Sequence, residues 1–285
     1  MENEKVGLVL EGGALRGIFT CGVLDVLMEN GICLPMTVGV SAGAVFGSNY
    51  KSGQVGRALR YNLKFCKDRR YGTMRSLLKS GDLYDAEFCY DEIPNKLDIF
   101  DSKAFENNPM DFYSVVTNVE TGRPEYHKCI KGGKEDLRWI RASASLPLGS
   151  NIVEIGNGRY LDGGISDSVP LKFAESIGFE KNIVILTQPM YYRKKRNPLM
   201  PIIRMKYKEY PKFVKAMERR HIMYNKETRY VRMQEKAGKV LIILPEQKLN
   251  ISRMEHSRKK IEAVYEYGAK MAVDNLESIK RFIGK

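Results

Sequence analysis

Two short apolar runs each end in a glycine-bracketed turn that opens a helix. This repeated pattern constrains the fold more than any other feature of the chain. The first run, residues 6–10, leads into Glu11-Gly12-Gly13-Ala14-Leu15-Arg16-Gly17. A helix then extends to about Asn30, with Phe19, Val23, Val26 and Leu27 at helical spacing and Gly31 as its stop. The second run, residues 37–40, passes through Ser41-Ala42-Gly43 into a helix toward Tyr50. Strand, turn and helix in alternation imply an α/β fold with a mainly parallel central sheet flanked by helices. Further strands are expected at 112–118 and 183–187, with shorter ones near 152–155 and 240–244. Helices are expected at 134–145, 170–176, about 208–236 and about 253–282. No repeat and no Ser- or Pro-rich linker interrupts the 285 residues. The chain therefore reads as one domain over 1–285, with a motif-bearing core at 6–175 and a basic helical part from about 190.

The second turn carries chemistry. Gly39-Val40-Ser41-Ala42-Gly43 is G-x-S-x-G between a strand and a helix. That setting puts a serine hydroxyl on a sharp, strained turn at a helix N-terminus, where the dipole favours developing negative charge. Such a serine needs a base and an oxyanion hole. His127, His221 and His256 all sit in stretches that read as solvated faces, and a triad is recognised in space rather than in sequence. Asp162, in Asp162-Gly163-Gly164, is the other candidate base. A carboxylate is weaker than imidazole by about 2–3 pKa units, but in a dry site it can take the proton directly. The same triplet also reads as a surface turn, and spacing alone does not separate the two. The glycine turn after the first strand offers main-chain amides for an anion, with Arg16 either bracing the loop or meeting a phosphate. A dinucleotide loop fits poorly, because Ala14 breaks G-x-G-x-x-G and the second strand lacks an acid. A phosphate loop fails for want of G-K-S/T.

Taken together and in this order, the three elements resemble the patatin-like phospholipase family. Gly12–Gly17 is similar to its oxyanion loop, Gly39–Gly43 to its nucleophile elbow, and Asp162-Gly163-Gly164 to its aspartate motif. The stretch Arg141-Ala142-Ser143-Ala144-Ser145-Leu146-Pro147 resembles its small-residue block. The resemblance covers roughly 6–175. It implies a patatin-like three-layer sandwich and a lipid acyl hydrolase with a Ser–Asp dyad. Ser41 is then the nucleophile, Asp162 the proton acceptor, and the amides of Gly12, Gly13 and Ala14 the oxyanion hole. Arg16, Gly17, Gly39, Gly43, Gly163 and Gly164 support those motifs. The chain departs from the family at Ala14, where a third glycine is usual and where alanine disfavours positive φ. No metal and no organic cofactor is implied. The alternative is a surface-binding protein on an inactive scaffold of the same kind.

The net charge of +13 bears on partners rather than fold. From Tyr191 to Arg232 there are 14 Lys or Arg against three Glu, so most of the excess lies in one segment. An anionic membrane surface would suit it, with Tyr207, Tyr210, Phe213 and Met217 either dipping into the interface or packing on the core. No nucleic-acid motif is present, and no specific nucleic acid is expected. The five cysteines lack metal or disulfide spacing and read as reduced, buried, small apolar residues. Acids at positions 2 and 4 stand where a leader would be basic, and no apolar run approaches about 18–20 residues. The expected location is the cytoplasm, at most peripheral to the inner membrane face.

Overall fold

Both strand–turn–helix units form where the apolar runs place them. The computed structural model describes residues 5–285. In it β1 (Val6–Leu10) passes through a 3-10 turn (Ala14–Gly17) into α1 (Ile18–Glu29), and β2 (Met36–Val40) leads into α2 (Ala42–Lys51). Every residue of both strands is buried, as strands covered on both faces require. The chain continues through α3 (Arg57–Phe65), α4 (Met74–Ser80), a π-helical segment (Phe88–Leu97) and α5 (Ser102–Asn107). Next come β3 (Asp111–Asn118), β4 (Pro124–Cys129), α6 (Lys134–Ser143), β5 (Val153–Ile155) and β6 (Gly158–Asp162). Then α7 (Leu171–Ser176), β7 (Lys181–Ile185), α8 (Met200–Lys206) and α9 (Pro211–Lys236) follow. The chain closes with β8 (Val240–Ile243), α10 (Arg258–Asp274) and α11 (Leu276–Phe282).

One eight-stranded sheet runs β5-β6-β3-β2-β1-β7-β8, with β4 also on β3. The pairs from β3 through β8 are parallel, and β4, β5 and β6 are antiparallel to their neighbours. Leu8, Leu10, Ile183 and Ile185 face a helical layer built on α1 and α10. Val9, Val38 and Val184 face Leu171 and Ala174 of α7 and Val231 of α9. The molecule is thus a three-layer sandwich of helices, sheet and helices. Each such side chain contributes about 1.5–3 kcal/mol by leaving water.

Three details depart from the sequence expectations. The last helix is two helices, divided at Asn275, whose Nδ2 donates to the Met271 carbonyl at 2.8 Å and competes with the helical ladder. An unexpected helix, α8, precedes the basic one, and a proline in the first turn of each sets where it begins. Cys21, Cys66 and Cys129 are buried as expected, but Cys33 is exposed, because it follows a helix-terminating turn at the rim of the core. Tyr207, Phe213 and Met217 pack with Val119, Leu161 and Ile165 and are closed off from any interface. No described helix is long and apolar enough to cross a membrane.

Candidate active site

Ser41 occupies the turn between β2 and α2 with φ +54° and ψ −121°. Among the described residues only Ala14, Ser41 and Leu148 combine a side chain with positive φ. A conformation of this kind costs about 1–3 kcal/mol and needs a surrounding structure that enforces it. Gly39 and Gly43 supply part of that enforcement. A Cβ at Gly39 would stand 2.5 Å from the Gly43 carbonyl oxygen, and one at Gly43 would stand 2.5 Å from that of Leu10. No side chain fits either bracket. The Ser41 amide donates to Ser143 Oγ at 2.8 Å, which fastens the elbow to the end of α6.

Asp162 reaches the serine through sheet register. Along β3, Asp111–Val115 pair with Met36–Val40 of β2, and Val116–Asn118 pair with β6 in reverse, Asp162 to Tyr160. Since β4 occupies the other edge of β3 over 112–117, β2 and β6 lie end to end on one edge. Val40 and Asp162 are therefore neighbours, and Ser41 turns out of the sheet beside the carboxylate. Asp162 is 1% exposed. Its amide donates to the Ser145 carbonyl at 2.8 Å, its carbonyl accepts from Thr117 Oγ1 at 2.8 Å, and its Oδ1 accepts from the Gly164 amide at 2.8 Å. Oδ2 closes no hydrogen bond of good geometry. Burial pushes the carboxyl above its ordinary range, against the opposing pull of Arg220, the Ser41 hydroxyl, the Gly164 amide and Lys194. The hydroxyl thus faces the carboxylate without a well-aligned bond to Oδ2.

The glycine loop lies against the same serine, since a Cβ at Gly12 would stand 2.8 Å from Ser41 Cβ. The Gly12 and Gly13 amides donate to no group among the described residues. Ala14 takes φ +49°, so alanine occupies the left-handed position that glycine fills more easily. Gly17 lets Ala42 and Phe46 of α2 pack closely on the loop, Gly163 lies against the Val115 carbonyl, and the Gly164 carbonyl accepts from Arg220 Nε at 2.6 Å. Arg16 is half-buried, and its Nε has no hydrogen-bond partner.

Two cavities meet at Ser41. One, of about 140 Å³, is walled mainly by apolar groups, including Leu15, Val45, Phe46, Tyr61 and Ile140. The other, of about 60 Å³, is polar and holds Asp162. No histidine lines either one. His127 instead stacks on Trp139 and faces Asp136 at 3.3 Å, and His256 Nδ1 meets the Cys66 carbonyl. His127, Cys129 and Asp136 hold their ligand atoms within 4.8 Å of one another. Asp136 Oδ2 there already accepts three amides, from Ile130, Lys131 and Gly132, and burial raises the Cys129 thiol, so the cluster is poorly suited to a cation.

The family model of patatin-like phospholipases matches residues 8–175. The chain belongs to the patatin-like phospholipase family. A domain of unknown function, DUF6363, matches residues 210–284. The uncharacterized protein YjjU of Escherichia coli K12 is 32% identical over 196 residues, which are 66% of this chain and 54% of that protein. Lysophospholipase nte1 of Aspergillus fumigatus is 30% identical over 187 residues, 61% of this chain and 11% of that one. The chain thus spans about half of the first relative and about a tenth of the second. VipD from Legionella pneumophila shares 13% identity and a TM-score of 0.47 over 96% of this chain and 67% of that one.

Beyond the family match, α9 and the loop before α8 form a wall of the polar cavity, which local sequence patterns did not reveal. Tyr224 donates to Glu11 Oε1 at 2.8 Å, and Glu11 also accepts from the Thr187 amide at 2.6 Å. Glu227 Oε2 accepts from the Ser168 amide at 3.1 Å, and burial together with the Asp167 carboxylate pushes its carboxyl well up. Asn225 clasps Lys194 by both backbone groups, at 2.9 and 3.1 Å. The available signal was the spacing of Arg220, Tyr224, Glu227 and Thr228, which share one helix face.

Proposed function

We propose that the chain is a lipid acyl hydrolase in which Ser41 is the nucleophile, Asp162 its proton acceptor, and the amides of Gly12, Gly13 and Ala14 the oxyanion hole. The carrying observation is the end-to-end placement of β2 and β6 on β3, which sets the elbow beside a buried carboxylate with an unpartnered oxygen. Asp162 takes the Ser41 proton as Oγ attacks the ester carbonyl. The loop amides hold the tetrahedral oxyanion. The alcohol departs with the proton and leaves an acyl-serine. Water then gives a proton to Asp162, attacks the acyl carbon, and the fatty acid leaves as the proton returns to Ser41. The apolar cavity receives the acyl chain. The cycle uses no metal or organic cofactor. Residues 190–285 act with the core as one domain, because α9 walls the site.

The deciding experiment is labelling with a fluorophosphonate, beside turnover of a fluorogenic acyl ester. Ser41 is expected to carry the adduct, and Ser41→Ala and Asp162→Asn to lose at least about a hundredfold in kcat/KM. Alanine at His127, His221 or His256 is expected to leave turnover near that of the parent. An unlabelled, inactive parent protein would favour the surface-binding alternative, and loss of activity on removing a histidine would replace the dyad by a triad.

The substrate-bearing surface is proposed to be an anionic membrane. Leu199, Ile202 and Met205 are exposed around α8, amid Lys195, Arg196, Arg204, Lys206 and Lys208. Apolar side chains ringed by cations suit an acidic interface.

A further inference from the structure

The polar cavity beside Ser41 holds more positive charge than its own carboxylates engage. Arg16 from the glycine loop, Lys194 from the loop before α8, Arg220 from α9 and Arg253 from the loop before α10 all line it. Against them stand Glu11 and Asp162. Glu11 is already held by Thr187 and Tyr224. None of the four cations forms an ion pair within 4 Å among the described residues. Lys194 Nζ rests over the Tyr224 ring, 4.3 Å from its centroid, and Arg220 spends Nε on the Gly164 carbonyl. Arg16 Nε is buried with no partner at all. A buried, unpartnered guanidinium nitrogen is costly unless an anion satisfies it.

The crowding is visible in the lysine itself. Burial, and then the charges of Arg220, Arg16 and Arg253, lower Lys194 to about 7, although Glu11 opposes them. Four chain segments have been brought together to hold repelling cations, and the backbone of Lys194 is pinned on both sides by Asn225. The cavity, at about 60 Å³, is several times the roughly 10–15 Å³ that one water needs. It also opens on the hydroxyl that meets the apolar cavity.

We propose that Arg16, Lys194, Arg220 and Arg253 form a phosphate-holding subsite, so that the preferred substrate is an acyl ester carrying a phosphate close to the scissile bond. The inference rests on the hydrolase reading for the word substrate, but the subsite itself does not. Three of the four residues lie beyond the stretch matched by the family model, so the appended part of the chain, rather than the shared core, selects the head group. Guanidinium groups suit this task because their planar donors match phosphate oxygens in pairs.

The test has a binding arm and a kinetic arm, both on the full chain. In the binding arm the Ser41→Ala protein is titrated with inorganic phosphate, glycerol phosphate and monoacylglycerol phosphate by calorimetry. Saturable binding is expected, strongest for the acylated ligand, and weakened about tenfold or more by adding Lys194→Met or Arg253→Met. Arg253 is exposed, so its variant remains informative if the lysine variant does not fold. In the kinetic arm the active chain receives monoacylglycerol phosphate and monoacylglycerol of the same acyl chain. The ratio of their kcat/KM values is expected to favour the phosphate ester by about tenfold or more and to fall toward one in Arg253→Met. A ratio at or below one, or phosphate binding unchanged in both variants, would overturn the proposal. Equal affinity for inorganic phosphate and the acylated ligand, without substrate preference, would overturn the lipid assignment. A chain that binds the ligands through these residues but hydrolyses neither ester would sink the hydrolase reading and leave the subsite standing.

Discussion

Ser41 and Asp162 are both held in states that cost stability, and each cost can be measured. Replacing Ser41 by alanine removes the hydroxyl but keeps a Cβ at φ +54°. Glycine removes the hydroxyl and the strain together. Ser41→Gly is therefore expected to be more stable than Ser41→Ala by about 1 kcal/mol, after allowance for the extra freedom of glycine in the unfolded chain. Urea unfolding of the two variants checks this, and equal midpoints would mean that the elbow is unstrained. The carboxylate makes a pH-dependent contribution. Burial raises Asp162 above the value of about 3.9 that it has in the unfolded chain. The native state then binds the proton more tightly, so this contribution is lost as pH rises through the folded value. Asp162→Asn has no such loss and keeps an acceptor for the Gly164 amide. Its advantage over the parent is expected to be smallest near about pH 4 and to widen as pH rises, then level off above the folded value. A parent that gained on the variant with rising pH would show that Arg220 and Lys194 outweigh burial. The elbow and the Asp-Gly-Gly triplet were legible because their geometry is local. The tasks of Ser143, Lys194 and Arg220 were not, because only tertiary register assigns them.

Among the elements, legibility followed period and burial. The strands buried on both faces read as short runs rich in Val, Leu and Ile, and α1 read by its helical spacing. β6 was missed because Gly158 and Arg159 dilute a five-residue strand whose neighbour β5 has only three. Yet β6 is the element that delivers Asp162. Short helices such as α4 and α5 escaped for the same reason, having too few turns to show a period. The seam between the core and the appended part was also hidden in sequence. At the crossing of α1 and α10, a Cβ on Gly268 would meet the Phe19 carbonyl, and one on Gly22 would meet that of Tyr265, both well inside van der Waals contact. The two backbones touch through paired glycines from opposite ends of the chain. Gly268→Ala is expected to cost about 1–3 kcal/mol by forcing the helices apart, although alanine favours helix. Thermal unfolding checks the sign, and a gain in stability would mean that the crossing is loose.

At the scale of the whole molecule, charge and apolar surface are sorted into two uses. One face of α9 turns inward, bringing Arg220 and Tyr224 to the site, and its other face carries solvated cations. The aromatic residues that could have met a membrane, Tyr207 and Phe213, are core instead. Among the exposed apolar side chains of the molecule, Leu199, Ile202 and Met205 gather around α8 amid the cations, with Met205 73% exposed. Each nearby cation adds about 1 kcal/mol at an acidic surface, within a Debye length of about 10 Å at 0.1 M salt and about 3 Å at 1 M. Flotation with anionic phosphatidylglycerol vesicles is therefore expected to retain the chain at low salt and release most of it near 1 M. Met205→Glu is expected to weaken binding at every salt concentration, since it removes apolar contact and adds repulsion, while leaving the buried face of α8, with Met200 and Ile203, undisturbed. Equal retention by neutral phosphatidylcholine vesicles, insensitive to salt, would show that these cations do not draw the chain to a membrane.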